Sequence, residues 1–240
     1  MPGASVFQLR ARAIAVSRGE IIAVTEDHCR VAPDWCQHIL AAHREHPQAD
    51  MIGGAVENGA GRRLIDWANF LIANDRFLPP LPHGEQAIIA GQANVTYKRR
   101  ALPIPYPQEG MDEGSFRQTL RARGGKLYNE DRIRVWHVQS LGVWGNCMIH
   151  FHDGRTLAGF RRARLSVGLW IVRLCKTLLL PLRVLVNTPR IVLRTAWNKP
   201  VYRQPALCSL PWLAVVLCFH YTGELVGHLA GPGNSPNHMR

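Results

Sequence analysis

Acidic side chains are scarce in this 240-residue chain: 17 Asp and Glu stand against 29 Lys and Arg, a formal charge of +12. The shortage is local. Between residues 150 and 203 eleven Lys or Arg face one acid, Asp153, so this quarter holds +10 and the remainder is close to neutral. These cations alternate with long apolar stretches, not with polar or aromatic contact residues, which argues against nucleic acid and for an anionic membrane surface. Cys-x-x-Cys pairs are absent too. The six cysteines (Cys29, Cys36, Cys147, Cys175, Cys208 and Cys218) are scattered, three of them in or near apolar segments. Neither a disulfide framework nor structural zinc is expected, and the compartment reads as reducing. The first twenty residues carry no apolar h-region, so no signal peptide is expected. A Gly-rich phosphate loop, a Ser-His-Asp pattern and a Cys-His pair are likewise missing.

What is present is an alternation of helical and strand-like signals up to about residue 150. Helices are predicted over 5–17, 35–45 (ended by Pro47), 65–73 and 112–123 (stopped by Gly124 and Gly125). Strands are predicted over 20–25, 51–56 with close backbone approach at Gly53 and Gly54, 87–97 around Gly91, and 133–137. Strands alternating with helices define an α/β class with a mixed sheet. His38, His43 and His46 fall on a polar helix and read as solvated. The chain thus divides into an α/β domain over 1–150 and a basic, apolar segment over 151–240.

In that second segment Arg173, Lys176, Arg183, Arg190 and Arg194 interrupt an apolar run. At about 100° per residue the last four fall within about 40° of one another, and Arg173 lies about 60° further round. Such a stripe fits a helix lying in a membrane interface or packed on the protein's own core, with Pro181 and Pro189 expected to kink it. Residues 204–222 then run without Lys, Arg, Asp or Glu, near the minimum length that crosses a bilayer. Gly223, Gly227 and Gly231 recur every fourth residue, a smooth stripe for helix packing, while Glu224 needs a partner or the interface. A transmembrane or re-entrant helix is expected, with the basic residues on the cytoplasmic side.

Residues 18–35 concentrate the chemistry. A strand-length apolar run, 21–24, leads into Glu26, Asp27 and His28, and Pro33-Asp34-Trp35 then opens a helix. Ligands of open α/β sheets bind beyond the carboxyl ends of strands, so metal-capable side chains there point to divalent metal and phosphate chemistry.

The segment Arg18-Gly19-Glu20-Ile21 through Glu26-Asp27-His28, with Pro33-Asp34-Trp35 after it, resembles that of glycosyltransferase family 2. A second block, Asp112-Glu113 through Leu120, followed by Arg123-Gly124 and a strand ending Trp136-His137, is similar to the family's Glu-Asp-x-x-Leu helix. The resemblance spans about residues 5–140 and implies a partial GT-A (Rossmann-like) mixed sheet with helices on both faces, plus carboxyl-terminal membrane-associated helices. It implies Mg²⁺ or Mn²⁺ at Glu26, Asp27 and His28, bridging the diphosphate of a nucleotide-sugar donor. His28 stands where the family has a third acid, which bears on metal preference because an imidazole brings no negative charge. Glu113 takes the place of the catalytic carboxylate and Asp112 its neighbour, in reversed order; their alternative is an acidic helix start favoured by the macrodipole. Asp27, Asn94 (in Gly91-Gln92-Ala93-Asn94) and His137 are implied at the bound donor or the acceptor side beside it. The Gln-x-x-Arg-Trp segment of processive relatives is absent.

The activity so implied is inverting transfer of a sugar to a lipid-linked or polysaccharide acceptor at the cytoplasmic face of a membrane, such as a bacterial inner membrane. Membrane lipids with an anionic surface are the expected partners and nucleic acid is not. Family members usually begin with a strand, a helix and another strand that hold the nucleotide; the matching strand here starts near residue 20. The competing expectation is therefore an amino-terminally truncated, catalytically inactive remnant or membrane-bound scaffold.

Overall fold

The computed structural model describes residues 4–103 and 110–239. The chain is α/β: among the described residues it forms nine α-helices and one five-stranded mixed sheet. It divides into two compact units, one built from Phe7–Ala60 with Asn74–Gln139, the other from Met1–Val6, Gly61–Ala73 and Ser140–Arg240. Residues 61–73 therefore group with residues 140–240 in this division.

The first unit contains the sheet. Its strands are β1 (Ile21–Thr25), β2 (Cys29–Val31), β3 (Met51–Asn58), β4 (Asn94–Lys98) and β5 (Leu127–His137), in the order β1-β4-β3-β5-β2. β3 and β5 are parallel and every other pairing is antiparallel. β1, β3 and β5 consequently run in one direction and end at the same edge. Helix α1 (Val6–Val16) places Ala11 and Ile14 in a core with Ile22, Met51, Val95, Tyr97, Met111, Leu120 and Leu127. Each large apolar side chain so enclosed contributes about 1.5–3 kcal/mol.

Helix α2 (Trp35–Glu45) matches its predicted span and buries Trp35, Ile39, Ala42 and His43, the spacing of one helical face. His43 corrects the sequence reading. It is only 5% exposed and its Nε2 meets Thr96 Oγ1 at 2.8 Å, so it is a core residue, and burial pushes its pKa down to about 4.

Two strand predictions change. The run 87–97 is extended only from Asn94; its first half is held instead by helix α4 (Glu113–Ala122), where Arg117 Nη1 donates to the Ile89 carbonyl at 3.0 Å. β5 is longer than predicted because its polar start, Asn129 and Glu130, is buried beside β3. Between Gly54↔Glu130 and Ala55↔Arg134 the register shifts and residues 131–133 loop out. Asn94 pins this bulge: its Nδ2 donates to the Ala55 and Ile133 carbonyls, both at 2.8 Å, and its Oδ1 accepts from Trp35 Nε1 at 3.0 Å. Any Cβ at Gly54 would strike that amide.

The second unit comprises α3 (Leu64–Asn74, whose last residue belongs to the sheet unit), α5 (Val143–Arg162), α6 (Val167–Leu178), α7 (Leu180–Asn198), α8 (Arg203–Cys208) and α9 (Leu210–Ala230). The single kinked helix expected over 165–194 is two helices broken at Leu179, so that Pro181 sits in the first turn of α7, where its missing N–H costs no hydrogen bond; Pro189 is inside α7. α9 is long and apolar enough to cross a membrane. It packs on α5 at close range. A Cβ at Gly223 would fall on the Phe151 carbonyl, one at Gly154 on the His220 carbonyl, and one at Gly227 within 2.9 Å of the Ala158 methyl. Gly231 instead caps α9 with φ 74°. Glu224 has its partners: Arg183 Nη2 lies 2.6 Å from Oε2, and Arg161 and His220 lie 3.8 and 3.7 Å from Oε1.

Candidate metal and carboxylate site

β1 and β2 are joined by a turn closed by Cys29 N–H donating to the Glu26 carbonyl at 3.0 Å, yet they lie at opposite edges of the sheet. The turn therefore crosses the carboxyl edge, where β3 and β5 end side by side at Asn58 and His137. β2 pairs with the end of β5, setting Cys29 opposite His137, and Val138 N–H donates to the His28 carbonyl at 2.8 Å. This backbone arrangement brings His28 and His137 together across 109 residues of chain: their Nε2 atoms are 3.0 Å apart and their rings nearly perpendicular. Glu26 Oε2 lies 3.2 Å from His28 Nε2 and 3.6 Å from His137 Nε2.

The electrostatics follow from the packing. Burial pushes the Glu26 carboxyl up, but the His28 hydrogen bond and the charges of His137, His28 and Arg10 outweigh it and hold the pKa below its ordinary value. The same hydrogen bond raises His28 against the effect of burial. His137 lies deeper in the sheet, and burial takes its pKa down to about 4.

Asp27 does not join the cluster. Its side chain is 99% exposed and its Oδ1 meets His28 Nδ1 at 3.0 Å on the far side of the ring. It acts as an orienting partner that fixes the imidazole, the role carboxylates play behind ligating histidines. The residues that can hold a metal are thus Glu26, His28 and His137. A second group of donors, Glu45, His46 and Glu130, is already served by a cation of the protein, since Arg132 Nη2 lies 2.5 Å from Glu45 and 2.8 Å from Glu130.

Glu113 and Asp112, adjacent in sequence, have separate fates. Asp112 caps α4, accepting from Gly114 N–H at 3.2 Å and from the Ser115 hydroxyl, which is why an acid is favoured there. Glu113 turns inward, 7% exposed, with Oε1 buried and lacking a hydrogen-bond partner among the described residues. Burial drives its pKa up to about 7, while Arg10, Arg117 and the Tyr97 hydroxyl pull the other way. Gly91 backs onto this carboxyl; a Cβ there would lie 3.3 Å from Oε2. Asn94 is 0% exposed and its amide is committed to the bulge and to Trp35.

Sequence reasoning missed Arg10. It lies on the buried face of α1 with Phe7, Ala11 and Ile14, 9% exposed, its Nη2 donating to Gln92 Oε1 at 2.7 Å. Nη1 is buried without a partner among the described residues. Its charge acts on both Glu26 and Glu113. The signal was there: an arginine at the helical spacing of an apolar face.

No protein-family model matches the chain, and no curated protein matches it. A carboxyl that titrates near neutrality can accept or release a proton at a reacting hydroxyl, a donor cluster can hold a cation, and a buried guanidinium can neutralise an anion.

Proposed function

We propose that this protein is a membrane-associated, metal-dependent inverting glycosyltransferase, moving a sugar from a nucleotide-sugar donor to a lipid-linked or polysaccharide acceptor. The observation that carries the reading is Glu113, a buried carboxyl held near pH 7 in the same unit as Arg10 and the Glu26–His28–His137 cluster. On this reading the sheet is a partial GT-A sheet, and its shared carboxyl edge holds the donor diphosphate. Glu113 in its ionised form accepts the proton of the acceptor hydroxyl as that oxygen attacks the anomeric carbon. The carbon–oxygen bond to the diphosphate breaks on the opposite face, which inverts the configuration. Arg10 places positive charge beside the departing diphosphate, and its unused Nη1 supplies a donor. Glu26, His28 and His137 would hold a divalent cation, which when bound neutralises the developing charge on the leaving group.

The helical unit supports the membrane part. α9 has the length and apolarity of a span, and α6 and α7 expose Leu169, Val172, Leu185 and Trp197 along with Arg173, Lys176 and Arg190. Apolar side chains flanked by cations suit an anionic bilayer surface facing the cytoplasm. The stripe read from sequence is incomplete, however, because Arg183 turns inward to Glu224.

The test is transfer from a panel of nucleotide sugars by the membrane-reconstituted chain and its Glu113→Gln variant. The expected result is a loss of about 10²–10⁴-fold in rate with nucleotide affinity kept. Equal rates in both proteins would overturn the assignment of Glu113. Absence of both transfer and nucleotide binding in the unaltered chain would favour the inactive-scaffold reading instead.

A further inference from the structure

We infer that Glu26, His28 and His137 form a three-point site for a first-row transition ion, Mn²⁺, Co²⁺ or Zn²⁺, and that Mg²⁺ does not fit it. This deepens the metal-dependent reading above and rests on it only for what the ion is used for. The separations of the donor atoms are 3.0 Å (His28 Nε2 to His137 Nε2), 3.2 Å (His28 Nε2 to Glu26 Oε2) and 3.6 Å (His137 Nε2 to Glu26 Oε2). A circle through three points so spaced has a radius of about 1.9 Å, slightly less than the ~2.1 Å of a zinc–imidazole bond. An ion about 0.9 Å off their plane therefore meets all three at bonding distance, with no movement of the backbone. All three donors lie on one side of that ion, so the opposite side stays open to water or to oxygens of a ligand, as in catalytic rather than structural sites.

The chemistry of the set selects the ion. Two of three donors are imidazole nitrogens, which suit borderline transition ions; Mg²⁺ prefers oxygen, holds its waters and is bound through carboxylates. With Asp27 directed to solvent, one carboxylate is left, and a single negative charge is little for a hard cation. Asp27 retains a purpose, because its contact with His28 Nδ1 sets which nitrogen faces the cluster. Entry is possible: the side chains of Glu26 and His28 are 20% and 23% exposed, and that of His137 10%. The Glu45–His46–Glu130 group supplies the contrast, since there two carboxylates are neutralised by Arg132 and nothing remains for an ion to do.

The experiment uses the full chain in detergent, stripped of metal with a chelator. Co²⁺ is titrated while its d–d absorption is followed, and Mn²⁺, Zn²⁺ and Mg²⁺ are compared by calorimetry. We expect one Co²⁺ per chain with nitrogen-shifted d–d bands. Mn²⁺ and Zn²⁺ should compete for it and Mg²⁺ should bind at least about 100-fold more weakly. His28→Ala, in the turn between β1 and β2, should weaken Co²⁺ at least about tenfold, as should His137→Ala; Asp27→Asn should cost less. Mg²⁺ binding as tightly as Mn²⁺, or Co²⁺ binding that ignores His28→Ala, would overturn the inference. Uridine diphosphate separates the two readings. Co²⁺ bound at this site with no nucleotide affinity sinks the glycosyltransferase reading alone, whereas nucleotide affinity supported equally by Mg²⁺ and Mn²⁺ sinks the ion selectivity alone.

Discussion

Glu113→Gln should stabilise the sheet unit while slowing transfer by about 10²–10⁴-fold, and the gain in stability should depend on pH in a set direction. In the folded chain burial holds the Glu113 pKa at about 7, against an ordinary value of 4.5. Below pH 4.5 both folded and unfolded chains carry the proton and the wild-type residue costs nothing. Between 4.5 and 7 the folded chain keeps a proton that the unfolded chain releases, so stability falls as pH rises, by about 1.4 kcal/mol per unit. Above pH 7 the full penalty of about 3 kcal/mol is present. Glutamine has no charge to desolvate and escapes it. A cost of fitting the amide would shift the comparison at every pH alike and leave its slope untouched. The assay is urea unfolding of both proteins from pH 4 to pH 8 in one metal-free buffer, followed through hydrogen exchange at β3 and β4 amides, which report the sheet unit by itself. The variant should be level with wild type near pH 4, apart from any constant offset, and ahead by about 3 kcal/mol at pH 8. A pH-independent difference would show that the carboxyl is hydrated and titrates normally, removing the physical basis for Glu113 as a base. Stability gained at the expense of activity is the mark of a group retained for function.

Other consequences can be checked as directly. Gly223→Ala, which drives a methyl onto the Phe151 carbonyl, should cost about 1–3 kcal/mol in thermal unfolding, whereas Gly168→Ala, in α6 with nothing within 4 Å, should be neutral or stabilising by up to about 1 kcal/mol. A double-mutant cycle on Arg183 and Glu224, 2.6 Å apart and mostly shielded, should give a coupling of about 1–3 kcal/mol; additive losses would mean the pair is solvated. Asn94→Ala leaves the Trp35 indole N–H and two carbonyls without their partner, and should cost about 2–4 kcal/mol with metal affinity unchanged. A drop in nucleotide affinity at intact stability would return Asn94 to the ligand.

Local order was largely readable from the chain. The predicted spans of α1, α2, α4 and β1 agree with the structure to within a residue or so, because each is decided by periodicity and by a local stop such as Pro47 or Gly124. β2 escaped notice because three residues, Cys29–Val31, are too few to show a period. The polar start of β5 hid its length, and the tie of Ile89 to Arg117 kept residues 87–93 out of the sheet. His43 and Arg10 were misjudged or missed for a common reason: a polar side chain on a helix tells nothing about whether a partner waits in the core, and Thr96 and Gln92 lie 53 and 82 residues away.

By itself the sequence determined the α/β class, the contrast between a near-neutral first part and a basic, apolar second one, and the acidic turn after β1 as the place to look. Glu113 stood out only through the resemblance, beside the alternative of an acidic helix start. Only tertiary structure decided which atoms meet. Neighbours along a turn point to opposite sides, so Asp27 leaves the cluster that its sequence position promised. A strand returning to the same sheet edge brings His137 in from 109 residues away. Whether a donor set is oxygen-rich or nitrogen-rich depends on that convergence.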